Sequence, residues 1–238
     1  MITNSSVAHQ GCDIINYFVA NPRLREIIEF IENKEYIIYP ENIILQAEKE
    51  KADSITFLLS GAVSLSFTNE KGEHQLLDII GAGEIMGFSN IVLDSVSRYT
   101  AKTLKVTSCI AIKKKLFLDL LFNNTDFARR MLNISTADAG KKEKKLTGLK
   151  SQEPYERLCT TVKRMSEIFS LDKNGLINYE FTFDMLKQIV STNTKELSLA
   201  FSKMEQNKLA SFNNGAVEII DRKALHKEVA KIDRQISR

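Results

Sequence analysis

The chain of 238 residues has no tryptophan, three prolines, three cysteines and three histidines, and each scarcity removes a class of function. Cys12, Cys109 and Cys159 are far apart and form no Cys-x-x-Cys pair. Neither a disulfide framework nor a zinc site is therefore expected. An all-cysteine iron–sulfur cluster needs four thiolates, so one chain cannot supply it. Free thiols in a reducing compartment are the reading that fits. His9, His74 and His226 are scattered, which leaves no cluster of histidine and carboxylate to hold a catalytic metal. No Ser or Cys nucleophile constellation and no phosphate loop is present. The expectation is a protein that is not an enzyme, with no catalytic residues, metal or cofactor. No stretch approaches the ~20 apolar residues of a membrane span. The start, Met1 to Ser6, lacks the basic region and apolar run of a secretory signal. A cytoplasmic location without membrane contact is expected.

What is present is enough for two modest domains with real cores, since 43% of residues are hydrophobic and 26% charged. A net charge of +3 permits nucleic-acid binding without demanding it, so the placement of charge decides. Lys141, Lys142, Lys144, Lys145 and Lys150 form one basic run. Solvated helix face and phosphate contact compete for it. Lys187, Lys195, Lys203 and Lys208 lie together further on.

Residues 13–32 are helical in pattern, with Pro22 where a second short helix would start. From Tyr36 the period changes. Tyr36 to Tyr39, Ile43 to Leu45, Ser54 to Leu59, Ala62 to Phe67, Gln75 to Ile80, Thr100 to Val106 and Ser108 to Ile112 are short β-rich runs separated by turn signals. Many short strands at regular spacing predict a small barrel or sandwich. After Lys113 the pattern is helical to about Leu149, with Asn124 or Thr125 capping the longer helix. Its stripe Phe127, Met131, Ile134 and Asp138 has the spacing of a two-helix seam. A helix packed on its own barrel would show the same stripe. Pro154 opens a further helix, and Gly148 to Ser151 is the expected hinge.

The segment Phe181 to Asp221 reads as a winged helix-turn-helix. Thr182 is a plausible N-cap for a short helix with Leu186, Ile189 and Val190 inward. Asn193 with Glu196 three residues on opens a second helix in the manner of a capping box. Asn213-Asn214-Gly215 between two β-rich runs predicts a hairpin wing. This order puts the second helix in a DNA major groove. Its outward face is Thr194, Lys195, Ser198, Leu199 and Ser202, and Leu199 suits a thymine methyl group. Thr182, Lys187, Thr192, Asn193, Lys203 and the wing residue Asn214 complete the DNA-contact candidates. Beyond His226 the tail is polar and is expected to fray.

Small β-barrel, long helix and winged helix-turn-helix, in that order, resemble the Crp/Fnr superfamily of bacterial transcription regulators over about residues 24 to 221. Ile43 to Glu48 is similar to the family's second strand and turn, with Ala47 where a glycine is usual. Phe57 to Val63 resembles its strand pair around a glycine, Gly72 its hairpin glycine, and Gly81 to Gly87 its glycine-bounded turn before the ligand helix. The resemblance implies an α+β fold: an N-terminal cyclic-nucleotide-binding-like β-roll (a jelly-roll barrel), a long dimerisation helix and a C-terminal winged helix-turn-helix. The domains expected are 1–113, 114–150 and 151–238. It implies a homodimer, with Phe127, Met131, Ile134 and Asp138 at the interface, that binds a pseudo-palindromic operator in double-stranded DNA and contacts RNA polymerase.

Departures from the family pattern are as informative. Phe88 stands where cyclic-nucleotide binders place the glutamate that holds the ribose. Ser95-Val96 stand where those proteins place the Arg-Ser pair that grips the phosphate, and Arg98 falls on another strand face. Without a guanidinium a buried cyclic phosphate loses its bidentate contact, so cyclic AMP is not expected as the usual effector. Gly87, Phe88, Ser89 and Arg98 outline the candidate effector pocket. An unidentified small molecule near Phe88, Ile91 and Leu93, haem, or no ligand are the alternatives; haem needs axial ligands, and His74 is the only barrel histidine. In the reading helix, Thr194, Lys195 and Leu199 replace the family's two arginines and glutamate, which removes its usual base contacts. Such a face also allows a site read largely by shape and A·T content. The alternative is a degenerate member that acts through protein contacts.

Overall fold

The structure is a computed structural model and describes residues 35–236. The helical reading of residues 13–32, and with it Cys12 and His9, lies outside the described residues. The chain divides into two compact units between Thr136 and Ala137.

In the first unit the strands are β1 Glu35–Tyr39, β2 Ile44–Gln46, β3 Ser54–Ser60, β4 Ala62–Thr68, β5 His74–Gly81, β6 Ile85–Met86, β7 Thr100–Thr103 and β8 Thr107–Lys113. A short helix α1, Phe88–Val92, sits between β6 and β7, and α2, Lys114–Asn123, follows β8. The strands form two four-stranded antiparallel sheets, in orders β1-β8-β3-β6 and β2-β7-β4-β5. The expected barrel is not closed: among the described residues no ladder joins the two sheets. The reason is visible at the edges, where β6 has two residues and β2 three. Strands this short end the ladder rather than carry it around.

Strand β3 explains the layering. Ile55, Phe57 and Leu59 point into one core with Ile110, Ile112 and Phe117, while Leu58 points into another with Val63, Ile80 and Cys109. Alternation along a strand buried on both faces makes it read as a nearly continuous apolar run. Gly61 lets the chain leave β3 for β4 in the other sheet. Its φ is +90°, and a Cβ there would lie 2.5 Å from the Thr107 hydroxyl and 2.6 Å from the Val106 carbonyl oxygen.

The long helix α3, Thr125–Ser151, has Asn124 as its cap, whose side-chain oxygen accepts from the Phe127 N–H at 3.0 Å. The helix runs through Gly148 without interruption, and the break before the next helix falls at 152–153.

In the second unit α4, Pro154–Phe169, starts with a capping box between Glu153 and Glu156. Then come α5 Phe183–Val190, α6 Thr194–Gln206, β9 Ala210–Asn213, β10 Ala216–Ile219 and α7 Arg222–Ile236. Helices α5, α6 and α7 all pack on α4. Leu158, Val162, Leu186, Leu197, Met204 and Leu225 are all at most 1% exposed. The tail past His226 does not fray. It is helical to Ile236, with Val229 and Ile232 buried. Two apolar residues four and seven positions after Leu225 are enough to seat a helix whose other side is polar.

Candidate nucleic-acid interface

Local sequence sets both ends of the helix pair. The Thr182 hydroxyl oxygen accepts from the Met185 N–H at 3.1 Å, and Asn193 accepts from the Glu196 N–H at 2.9 Å. These satisfy backbone donors that a helix start leaves free. The second half of the capping box differs from expectation. The Glu196 carboxylate takes the Thr192 hydroxyl as its donor, and that bond lowers the Glu196 pKa.

The turn between the helices has a feature that sequence spacing did not reveal. Ser191 adopts the left-handed region at φ 56°. The Arg157 guanidinium of α4 donates to the Val190 carbonyl at 2.9 Å, to the Ser191 carbonyl at 3.1 Å and to the Gln152 carbonyl. One cation thus closes the negative end of α5 and ties it to the start of α4.

Helix α6 presents two faces. Leu197, Ala200, Phe201 and Met204 are buried. Thr194, Lys195, Ser198, Leu199 and Ser202 are exposed, Leu199 at 62%. Ser198 donates to the Thr194 carbonyl and Ser202 to the Ser198 carbonyl, each at 3.0 Å. Their protons are used along the helix, so their oxygens point outward as acceptors. Lys195 has no acidic partner among the described residues.

Other candidates are engaged within the unit. Lys187 pairs with Asp184 at 2.9 Å. The Lys203 ammonium lies 4.3 Å from the centre of the Tyr155 ring, whose hydroxyl accepts from the Asn207 amide at 2.9 Å. Burial pushes the Tyr155 pKa up to about 12. These contacts fasten the C-terminal end of α6 to α4.

The wing is a two-residue hairpin. Asn213 pairs with Ala216, and the loop residues Asn214 and Gly215 have φ of 48° and 88°. This is the positive-φ pair that a tight hairpin requires. Phe212 of β9 stacks on Phe201 of α6, with centroids 5.1 Å apart, and so fixes the hairpin to α6. The segment 171–177, silent in the sequence, pairs with β10: the Ile177 N–H donates to the Val217 carbonyl at 2.9 Å, and the Ile219 N–H to the Gly175 carbonyl at 2.9 Å.

Of the four effector-pocket candidates of the first unit, Gly87, Phe88 and Ser89 lie where β6 gives way to α1, and Arg98 lies just before β7. Gly87 ends β6 at φ 84°, as the cap of α1. The Phe88 ring meets Phe117 edge-on at 6.1 Å, and Phe117 meets Phe127 at 5.6 Å. Ser89 and Arg98 are exposed. The four residues named for the pairing seam lie along one side of α3. Phe127 and Met131 are 0% and 1% exposed within one chain, in the first unit's own core, and Ile134 packs against that core. Asp138 pairs with Lys141 at 3.2 Å. Apolar periodicity showed that this side of α3 is covered, and the cover is the chain's own sheet and α2.

Comparison with known proteins agrees with this geometry. Residues 37–124 match the family model of the cyclic nucleotide-binding domain. No curated protein matches the chain by sequence. Among solved structures the chain is similar to FixK2 from Bradyrhizobium japonicum, with 17% identity, 82% of this chain and 96% of that one covered, and a TM-score of 0.67. It is similar to TTHA1359, a CRP/FNR-family transcriptional regulator from Thermus thermophilus, at 14% identity, 82% and 98% coverage, and a TM-score of 0.66. CLP, a c-di-GMP-responsive global regulator from Xanthomonas campestris, gives 15%, 88% and 99%, and 0.61. At these identities the likeness is one of fold: α+β, with cyclic-nucleotide-binding-like sheets, long helices and helix-turn-helix-like C-terminal helices.

Proposed function

We propose that this chain, which has the Crp/Fnr fold, is a homodimeric, sequence-specific DNA-binding transcription regulator. The observation that carries the reading is the outward face of α6. Thr194, Lys195, Ser198, Leu199 and Ser202 are all exposed on a helix held at both ends, with the wing fastened beside it. One ammonium, several acceptor oxygens and one apolar tip make a reader of phosphate, thymine methyl and groove shape. Guanine-reading arginines are absent from this face.

Pairing is proposed along α3 on the side away from Phe127. Leu132, Ala139 and Leu146 recur every seven residues, with Leu132 and Leu146 each 63% exposed. That is the spacing of a left-handed helix pair. Cyclic AMP is not part of the proposal. Phe88 lies against the core and Arg98 faces solvent, so the named residues hold no cation inside the fold for a cyclic phosphate. An effector, if the first unit takes one, is of another chemistry.

The test is selection of bound duplexes from a random pool at near-physiological salt with the full chain. A two-fold-symmetric site is the expected product, with half-sites about one helical turn apart. Lys195→Ala should weaken binding to it, lowering the salt slope by about 1 if Lys195 holds a phosphate. Salt-sensitive background binding without enrichment would favour the protein-contact alternative, for which the lack of base-reading arginines speaks.

A further inference from the structure

Helix α7 carries a basic surface of its own. Its inward face is Leu225, Val229 and Ile232, at 0%, 5% and 2% exposure. On the other side Lys223, Lys227, Lys231 and Arg234 stand toward solvent, and Arg222 flanks them at the helix start. The three lysines recur every fourth residue, so they stand in one row, about 6 Å apart along the axis. None of the five cations has an acidic partner among the described residues. The two acids of the helix are turned elsewhere. Asp233 pairs with Lys144 of α3 at 2.7 Å, and Glu228 lies near Tyr155 and Cys159.

Helix stability alone does not call for such a row. Like charges four residues apart on a helix repel one another. Arg222 and Lys223 sit in the first turn, against the positive end of the helix dipole. Asp221 alone offsets them there, accepting from the Ala224 N–H at 2.9 Å. A helix needed only to cover α4 would lose nothing with charges of mixed sign outside.

We propose that this row is a second DNA contact, which holds the phosphate backbone of the duplex beyond the bases that α6 reads. The proposal rests on the DNA-binding reading above and adds a site to it. Ammonium groups on flexible stems suit phosphate oxygens and carry no base preference. A membrane surface is the weaker match, because the apolar side of α7 is buried in the domain and leaves nothing to insert.

The experiment measures binding of a random-sequence 30-base-pair duplex to the full chain across a salt series. It compares the wild type with Lys223→Gln/Lys227→Gln/Lys231→Gln. Glutamine keeps the helix propensity and removes the repulsion, so thermal melting should be unchanged or higher; Lys227→Glu serves as a second variant if the triple one does not fold. The expected result is a salt slope smaller by about 2 to 3, at about 0.9 for each phosphate no longer neutralised, with the selected operator sequence unchanged. A wild type with a steep slope that the variants leave as it was overturns the α7 site and leaves the regulator reading standing. A wild type that binds no duplex at any salt overturns both.

Discussion

Replacing Arg157 by methionine tests how the helix-turn-helix is held together. Methionine keeps a long unbranched stem and a similar helix propensity. What is lost is the guanidinium that donates to the Val190 and Ser191 carbonyls at 2.9 and 3.1 Å, and to Gln152. A hydrogen bond from a charged donor is worth about 1.5–3 kcal/mol, and a cation at a helix C-terminus adds about 0.3–1 kcal/mol. Arg157 is only half-buried, so water replaces part of this. The expected net loss is on the order of 2 kcal/mol. For a unit of about 100 residues, such as the second unit here, each kcal/mol lowers the melting temperature by about 4–8 °C. A fall of about 8–16 °C in that unit's transition therefore follows. Amide exchange supplies a local readout. Ser191 donates to the Gln188 carbonyl and Thr192 to the Lys187 carbonyl across the turn, and both amides should exchange faster in Arg157→Met. Arg157→Lys, which keeps the charge but not the fork, should fall between. An unchanged melt together with unchanged turn exchange would refute the assignment of Arg157 as the fastener of the turn.

The first unit has a corresponding test in Phe117→Ala. This ring is 0% exposed and meets both Phe88 and Phe127, so its loss should cost about 3–5 kcal/mol in denaturant unfolding of that unit. The thiols of Cys109 and Cys159 are both buried, and burial pushes each up to about 12. Neither should react with a thiol reagent at pH 8 until the chain unfolds. Because the unfolded chain releases these protons at lower pH than the folded one, they contribute a loss of stability between about pH 9 and pH 12. Cys109→Ala/Cys159→Ala should flatten that part of the pH–stability curve. Glu196 is held below the usual carboxylate range by the Thr192 hydroxyl, so its stabilising effect is present above the unfolded pKa and fades as pH falls through the folded one. In Thr192→Val the carboxyl should titrate at higher pH, as NMR would show.

How much of this was legible differs from element to element. The strands were legible because β3 and β8 are buried on both faces and read as apolar runs, with turns of Gly, Asn and Pro between them. The hairpin was legible in Asn214-Gly215, where both residues tolerate positive φ. The start of α6 was legible in Asn193, whose side chain does what an N-cap does. Three things were not. Arg157 reaches residues more than thirty positions away, and nothing near it in the chain marks that partner. Lys203 has the charge of a DNA contact, but lies over a ring 48 positions earlier. The apolar stripe of α3 was visible, while its partner was not.

The sequence by itself determined the local menu: where helices start, where the chain turns and which residues share a face. These follow from interactions that act within a few residues, through φ and ψ, capping and side-chain period. The tertiary structure alone decided what covers each face. It turned Phe127 and Met131 inward onto the chain's own core, seated a polar-looking tail on α4, left both sheets open, and set lysines already paired, such as Lys187, apart from those that face solvent, such as Lys195. Burial partners and ion pairs are chosen by the path of the whole chain, since an apolar or charged side chain is satisfied by any surface of the right kind that the fold brings to it.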